Sequence, residues 1–168
     1  MKHLSLLLAG LWIAIISVAQ SANEIALIPQ PVSLHKKDTR FTLNAQTRVV
    51  AFQNADVQRV AGFFTSQVKK ATGFSLASQT PGGAKTNTIS FTLNSRPNNQ
   101  LGSEGYTIDV SANGIQVQAN QPAGLFYGMQ TLLQLFPKEV ESSEPVKKTS
   151  WTVPGVQITD YPRFAWRG

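Results

Sequence analysis

Two runs of alternating apolar and polar residues meet at Asn113-Gly114, and this constrains the fold more than any other stretch. Tyr106, Ile108 and Val110 alternate before the pair, and Ile115, Val117 and Ala119 alternate after it. A period of two places each apolar set on one face of a strand, and Asn-Gly favours a two-residue turn with positive φ at both positions. The expected register pairs Ala112 with Ile115, Val110 with Val117 and Ile108 with Ala119, which keeps every apolar residue on one face.

Elsewhere the period changes. Val57, Val60, Ala61, Phe64, Val68 and Ala71 recur at steps of three and four, which predicts an amphipathic helix of about sixteen residues. Asn54 is its expected N-cap and Gly73 its stop. A second helix opens at Gln121-Pro122, where proline suits the first turn. Its apolar stripe is Leu125, Met129, Leu132, Leu133 and Phe136, and Pro137 ends it.

The remaining segments read as strands and loops. Val32 and Leu34 precede Lys36-Lys37-Asp38-Thr39, and Phe41 and Leu43 follow it. A hairpin about Lys37-Asp38 would set Leu34 opposite Phe41 and Val32 opposite Leu43. Short strands are expected at 48–52, 74–77 and 88–93, and an extended segment at 151–159. Residues 79–84 and the charged stretch 138–150 read as loops. The order β-β-β-α-β-β-β-α-β predicts an α+β fold, a single sheet with two amphipathic helices packed on one face.

The N-terminus reads as a targeting segment. Lys2 and His3 precede the apolar run Leu4–Val18. As a helix that run spans about 22 Å, short of the roughly 30 Å of a bilayer's hydrocarbon core. Small residues then offer cleavage after Ala19 or after Ser21. This pattern describes a cleavable signal peptide rather than an uncleaved anchor. The expected organisation is a leader at 1–19, a domain at 20–157 and a junction at 158–168. A secreted or periplasmic location without a stable membrane anchor follows, and the absence of cysteine removes the lipid-anchoring route.

Composition narrows the chemistry further. Cysteine is absent, so disulfides, thiolate metal sites and a thiol nucleophile are excluded. The formal charge is +6, but the lysines and arginines are scattered rather than gathered into a basic stripe. No nucleic-acid partner is expected. His35 is the one histidine outside the leader, which leaves neither a metal-ligand set nor a Ser-His-Asp arrangement. Gly82-Gly83 lacks the lysine and Ser/Thr of a phosphate-binding loop. Gly124 and Gly128 suit close packing on the sheet better than a membrane contact.

Glycosidases commonly use two carboxyl groups about 5–10 Å apart. Here Glu104 and Asp109 bracket a strand, Glu139, Glu141 and Glu144 lie in a polar loop, and Asp160 stands apart. None forms a recognisable pair. No catalytic residue, substrate-binding residue, metal site or cofactor is therefore assigned to this stretch.

Three motifs carry a family resemblance. They are Pro29-Gln30-Pro31-Val32; Glu104-Gly105-Tyr106-Thr107-Ile108 running through the hairpin to Gly124-Leu125-Phe126-Tyr127-Gly128-Met129-Gln130-Thr131-Leu132-Leu133-Gln134-Leu135; and Ile158-Thr159-Asp160-Tyr161-Pro162-Arg163-Phe164-Ala165-Trp166-Arg167-Gly168. Together they resemble the N-terminal domain of family 20 glycoside hydrolases, the β-N-acetylhexosaminidases. The second motif is shared with O-GlcNAcase-like and α-glucuronidase-like hydrolases, and the third favours family 20.

The resemblance implies an enzyme that removes terminal β-linked N-acetylhexosamines with retention. The substrate's acetamido oxygen attacks the anomeric carbon, a glutamate protonates the leaving group, and an aspartate orients the acetamide. Those residues belong to a (β/α)8 barrel that follows the Arg-Gly step, so the stretch itself is expected to be inactive and its partner is that barrel. Asp160, Arg163 and Arg167 are expected to tether the two through charge-assisted hydrogen bonds. The competing reading is a stand-alone carbohydrate- or envelope-binding module, with Trp151 and Trp166 as candidate sugar-stacking platforms.

Overall fold

The computed structural model describes residues 25–52, 54–83 and 85–164. The expected signal peptide lies outside the described residues, as do Trp166 and Arg167.

Seven strands form one mixed sheet in the order β1-β7-β5-β6-β4-β2-β3. They are β1 (Ser33–Thr42), β2 (Arg48–Val50), β3 (Ala77–Ser78), β4 (Thr88–Leu93), β5 (Tyr106–Ser111), β6 (Gly114–Ala119) and β7 (Thr152–Asp160). The β1, β7, β5 and β6 neighbours are antiparallel, whereas β6, β4, β2 and β3 run parallel. Two α-helices among the described residues, α1 (Ala55–Thr72) and α2 (Pro122–Leu135), pack against each other and against the sheet. The α+β expectation holds.

The core lies between the sheet and the helix pair. Ile108, Val110, Ile115, Val117, Ile89 and Phe91 come from the strands, and Val57, Phe64, Leu125, Met129 and Leu132 from the helices. Each strand residue obeys the period of two, and its polar neighbours, such as Gln116 and Gln118, face outward.

The helix boundaries follow local chemistry. Asn54 is extended, and its side chain accepts a hydrogen bond from the Val57 N–H, as an N-cap should. Gly73 adopts φ 77° and donates its N–H to the Lys69 carbonyl. That left-handed conformation costs little without a β-carbon. The helix runs for 18 residues, slightly longer than its apolar repeat.

Four local expectations are corrected. First, residues 33–42 form one strand rather than a hairpin about Lys37-Asp38. Leu34 pairs with Ile158 and Phe41 with Val153, both on β7. Leu34 and Phe41 are seven apart, so an uninterrupted strand would put them on opposite faces. The ladder is irregular between Lys36 and Arg40, and β7 buries Gly155 and Val156 in succession there, so the alternation breaks in both strands. Lys37, Asp38 and Thr39 bulge opposite Gly155, where a β-carbon would lie 2.7 Å from the Thr39 carbonyl oxygen.

Second, the β5–β6 hairpin is displaced by two residues: Val110 faces Ile115, Ile108 faces Val117 and Tyr106 faces Ala119. A shift of two preserves the faces, so the core set survives. The turn residues are Ala112 and Asn113, and positive φ occurs at neither Asn113 nor Gly114. Gly114 answers a tertiary demand instead, since a β-carbon there would lie 2.5 Å from the Thr88 carbonyl oxygen of β4.

Third, the short strand expected at 74–77 is reduced to Ala77–Ser78 beside β2. Fourth, the charged stretch after Pro137 is not a wholly exposed loop. A 3-10 helix spans Lys138–Glu141 and buries Val140, whose carbonyl accepts from Gln67 Nε2 at 2.8 Å.

Candidate functional site

Functional interest converges on the end of β7, where the chain leaves the sheet. Asp160 is the last residue of that strand and pairs in register with Tyr106 at the start of β5. Its Oδ1 accepts from the Val32 N–H at 3.2 Å, and its Oδ2 accepts from the Tyr106 hydroxyl at 3.3 Å. The same hydroxyl shares a 2.6 Å hydrogen bond with Thr131 Oγ1 of α2. One carboxylate thus joins the segment ahead of β1, the head of β5 and, through Tyr106, the second helix. Charge on the acceptor strengthens such bonds relative to neutral ones.

Beyond Asp160 the chain borders a polar recess lined by Asn99, Gln100, Glu104, Tyr161 and Arg163. Gln100 Nε2 donates to the Tyr161 hydroxyl at 3.3 Å. Asn120 holds the recess loop in place. Its Nδ2 donates to the Asn98 and Gly102 carbonyls at 2.7 and 2.9 Å, and its Oδ1 accepts from Asn94 Nδ2 and the Asn98 N–H, both at 2.9 Å. Neither Asn120 nor this loop was legible as a site from sequence; a cluster of asparagines around a glycine was its one signal. Arg163 is exposed beside the recess.

The other acidic residues are dispersed over the domain. Asp109 sits on the outward face of β5, 2.6 Å from the Lys37 ammonium of the β1 bulge. Glu139 and Glu141 belong to the 3-10 helix, and Glu144 is exposed beyond it. His35 is exposed on β1. Among the described residues no group of three or more His, Asp or Glu side chains is placed to hold a metal ion. Trp151 is only 5% exposed and belongs to the core, so it is no sugar-stacking platform.

A broader concavity lies between the two helices. It has a volume of about 840 Å³ and is lined by Phe63, Ser66, Phe126, Gln130 and Leu133, with Ile28 at its border. The Phe63 and Phe126 rings meet edge to face across it, centroids 6.1 Å apart.

Sequence and structure comparisons agree on one group of relatives. The profile described as "Glycosyl hydrolase family 20, domain 2" matches residues 24–161. A β-hexosaminidase of Porphyromonas gingivalis is 31% identical over 153 residues, covering 91% of this chain and 19% of the relative. A β-N-acetylhexosaminidase of Cellulomonas fimi is 26% identical, covering 86% of this chain and 28% of the relative. Among solved structures, Streptomyces plicatus N-acetyl-β-hexosaminidase in complex with Thio-NAglucal superimposes with a TM-score of 0.74 at 33% identity. That match covers 84% of this chain and 27% of the solved one. The chain therefore spans only about a fifth to a quarter of the length of these relatives.

Proposed function

The chain belongs to glycosyl hydrolase family 20, whose domain 2 it supplies, and on that premise we propose that it is the non-catalytic N-terminal domain of a secreted β-N-acetylhexosaminidase. The catalytic (β/α)8 barrel follows it in the same polypeptide and binds the glycan substrate. The whole enzyme hydrolyses terminal N-acetylhexosamine residues with retention, using the substrate's own acetamido group as nucleophile. Residues 1–19 act as the cleaved leader and residues 158–168 as the junction. No helix among the described residues is long and apolar enough to cross a membrane.

One observation carries this reading. The chain shares most of its fold with a hexosaminidase while accounting for 27% of it. A stand-alone sugar-binding module is less well supported, because Trp151 is buried in the core.

Within this scheme Asp160 anchors the junction from inside the domain, while Arg163 and Arg167 form charge-assisted hydrogen bonds to the barrel. Replacing Arg167 with alanine in the complete enzyme then lowers stability or yield more than substrate affinity. Normal stability with an altered KM alone would count against the tether.

Expressing the complete reading frame beside the 168-residue product tests the main proposal. The expected result is turnover of an aryl N-acetylglucosaminide by the complete protein and none by the shorter one. Turnover by the shorter product, or a reading frame that closes at Gly168, would overturn it.

A further inference from the structure

We infer that Lys147-Lys148, in the link between α2 and β7, is the site at which a lysine-specific endopeptidase first cuts this domain, and that the cut domain stays assembled as two chains. This holds whether or not a catalytic barrel follows, because it depends only on how the domain itself is folded.

The link presents the required residues in an open setting. Lys147 and Lys148 are both exposed and lie in a turn, outside every strand and helix. Lys148 holds φ 69°, a left-handed conformation that its β-carbon disfavours. Neither lysine borders the groove between the helices. Among the described residues, one hydrogen bond ties 142–150 to a distant part of the chain, from the Val146 N–H to the Ala71 carbonyl at 2.8 Å. The remaining bonds are local, joining Ser142 to Glu139 and Glu144, and Thr152 to Ser150. Releasing Val146 therefore frees the whole link, and exposed polar segments of this kind are where chains are nicked.

The other described lysines are better protected. Lys36 and Lys37 lie within β1, Lys69 and Lys70 within α1, and Lys138 within the 3-10 helix. Lys85 is the competitor, since it too is exposed in a loop. Two residues further on, however, Asn87 is held by four hydrogen bonds. Its N–H donates to the Asn113 carbonyl, and its own carbonyl accepts from the Arg48 N–H. Its Oδ1 accepts from the Thr47 hydroxyl, and its Nδ2 donates to Asn44 Oδ1. Opening the chain on that side of Lys85 disturbs all four, against one beside Lys147. The local opening that precedes cleavage therefore favours the later loop.

The cut itself needs only water and the endopeptidase. Water adds across the peptide bond after Lys147 or Lys148, leaving a carboxylate on the lysine and an ammonium on its successor. The break falls ahead of β7, which stays between β1 and β5 and is antiparallel to both. Its Val153, Val156 and Ile158 are fully buried. One piece then carries β7 and the junction, and the other carries β1 to β6 with both helices. Strand ladders and core packing hold the two together in place of the chain.

Brief digestion of the complete, folded protein with a lysine-specific endopeptidase tests this. By mass, the earliest cut within the domain should create an N-terminus at Lys148 or Thr149. The two pieces should co-elute on gel filtration and separate once urea is added. Replacing both lysines (Lys147→Gln with Lys148→Gln) should abolish that cut and leave the urea midpoint unchanged, because both side chains are exposed. An earliest cut after Lys85, or a link left whole while the rest of the protein is digested, would overturn the assignment of the site. Pieces that part on gel filtration without denaturant would overturn the two-chain assembly.

Discussion

Gly124 lies against the carbonyl oxygen of Gly105, so closely that no β-carbon fits between them. The first turn of α2 thereby rests directly on the backbone that leads into β5. Ala119 crowds the same space, its Cβ 2.9 Å from where a Gly124 β-carbon would sit. Gly124→Ala should therefore destabilise the domain by about 1–3 kcal/mol, since a backbone oxygen cannot rotate away from the added methyl. Gly62 provides the control. It lies within α1 with open space around its missing β-carbon, so Gly62→Ala should stabilise by about 0.5–1 kcal/mol. Urea unfolding of the two variants checks the pair, and equal effects would refute the packing argument.

The hydroxyl of Tyr106 links the junction to α2, sharing a 2.6 Å bond with Thr131 and a longer one with Asp160. Tyr106 is buried, and loss of its hydroxyl leaves both partners short of a hydrogen bond. Tyr106→Phe should cost about 1–2 kcal/mol. Combined with Thr131→Val, the total should fall short of the sum of the single effects, because the two remove one shared bond. Strict additivity in that double-mutant cycle would show that the hydroxyls do not act together.

How much of this was readable beforehand depends on how far each signal reaches. Helix α1 was legible because Asn54, the three- and four-residue repeat and Gly73 all act within their own turns. The hairpin was legible in place but not in register. Its glycine is required by Thr88 of a parallel neighbour, a contact that Asn113-Gly114 does not advertise locally. The β1 bulge misled for a related reason: a polar break between Leu34 and Phe41 suits a turn as well as it suits three residues opposite Gly155. Val140 stood alone among charges, too little to reveal that it would be buried. At the candidate site Asp160 was visible as an isolated carboxylate. Its partners lie 54 and 128 residues away, a range at which only the folded topology decides who meets whom.

The ion pair of Lys37 and Asp109 has a short distance and a small expected effect. Their side chains are 33% and 45% exposed, so water screens the attraction and ordering the lysine offsets part of it. Lys37→Met should change stability by no more than about 1 kcal/mol. Whatever difference remains should shrink as salt is raised. A larger, salt-insensitive loss would show that the pair is better shielded from water than its exposure implies.

Asn120 is the side chain on which the recess loop most depends. Four hydrogen bonds converge on its amide, two received by Oδ1 and two donated by Nδ2. The loop it orders contains Gln100, which donates to Tyr161 just past the end of β7. Asn120→Ala should cost about 1–3 kcal/mol through the partners left unsatisfied, and amide exchange should quicken across residues 94–104 before it quickens in the strands. Asn120→Asp separates the two halves of the network. It keeps an acceptor for Asn94 and the Asn98 N–H, but turns a second acceptor toward the Asn98 and Gly102 carbonyls, where a donor is needed. The aspartate should therefore fail to restore loop protection. Restoration by aspartate would mean that the acceptor side alone holds the loop, and the two donated bonds would lose their assigned role.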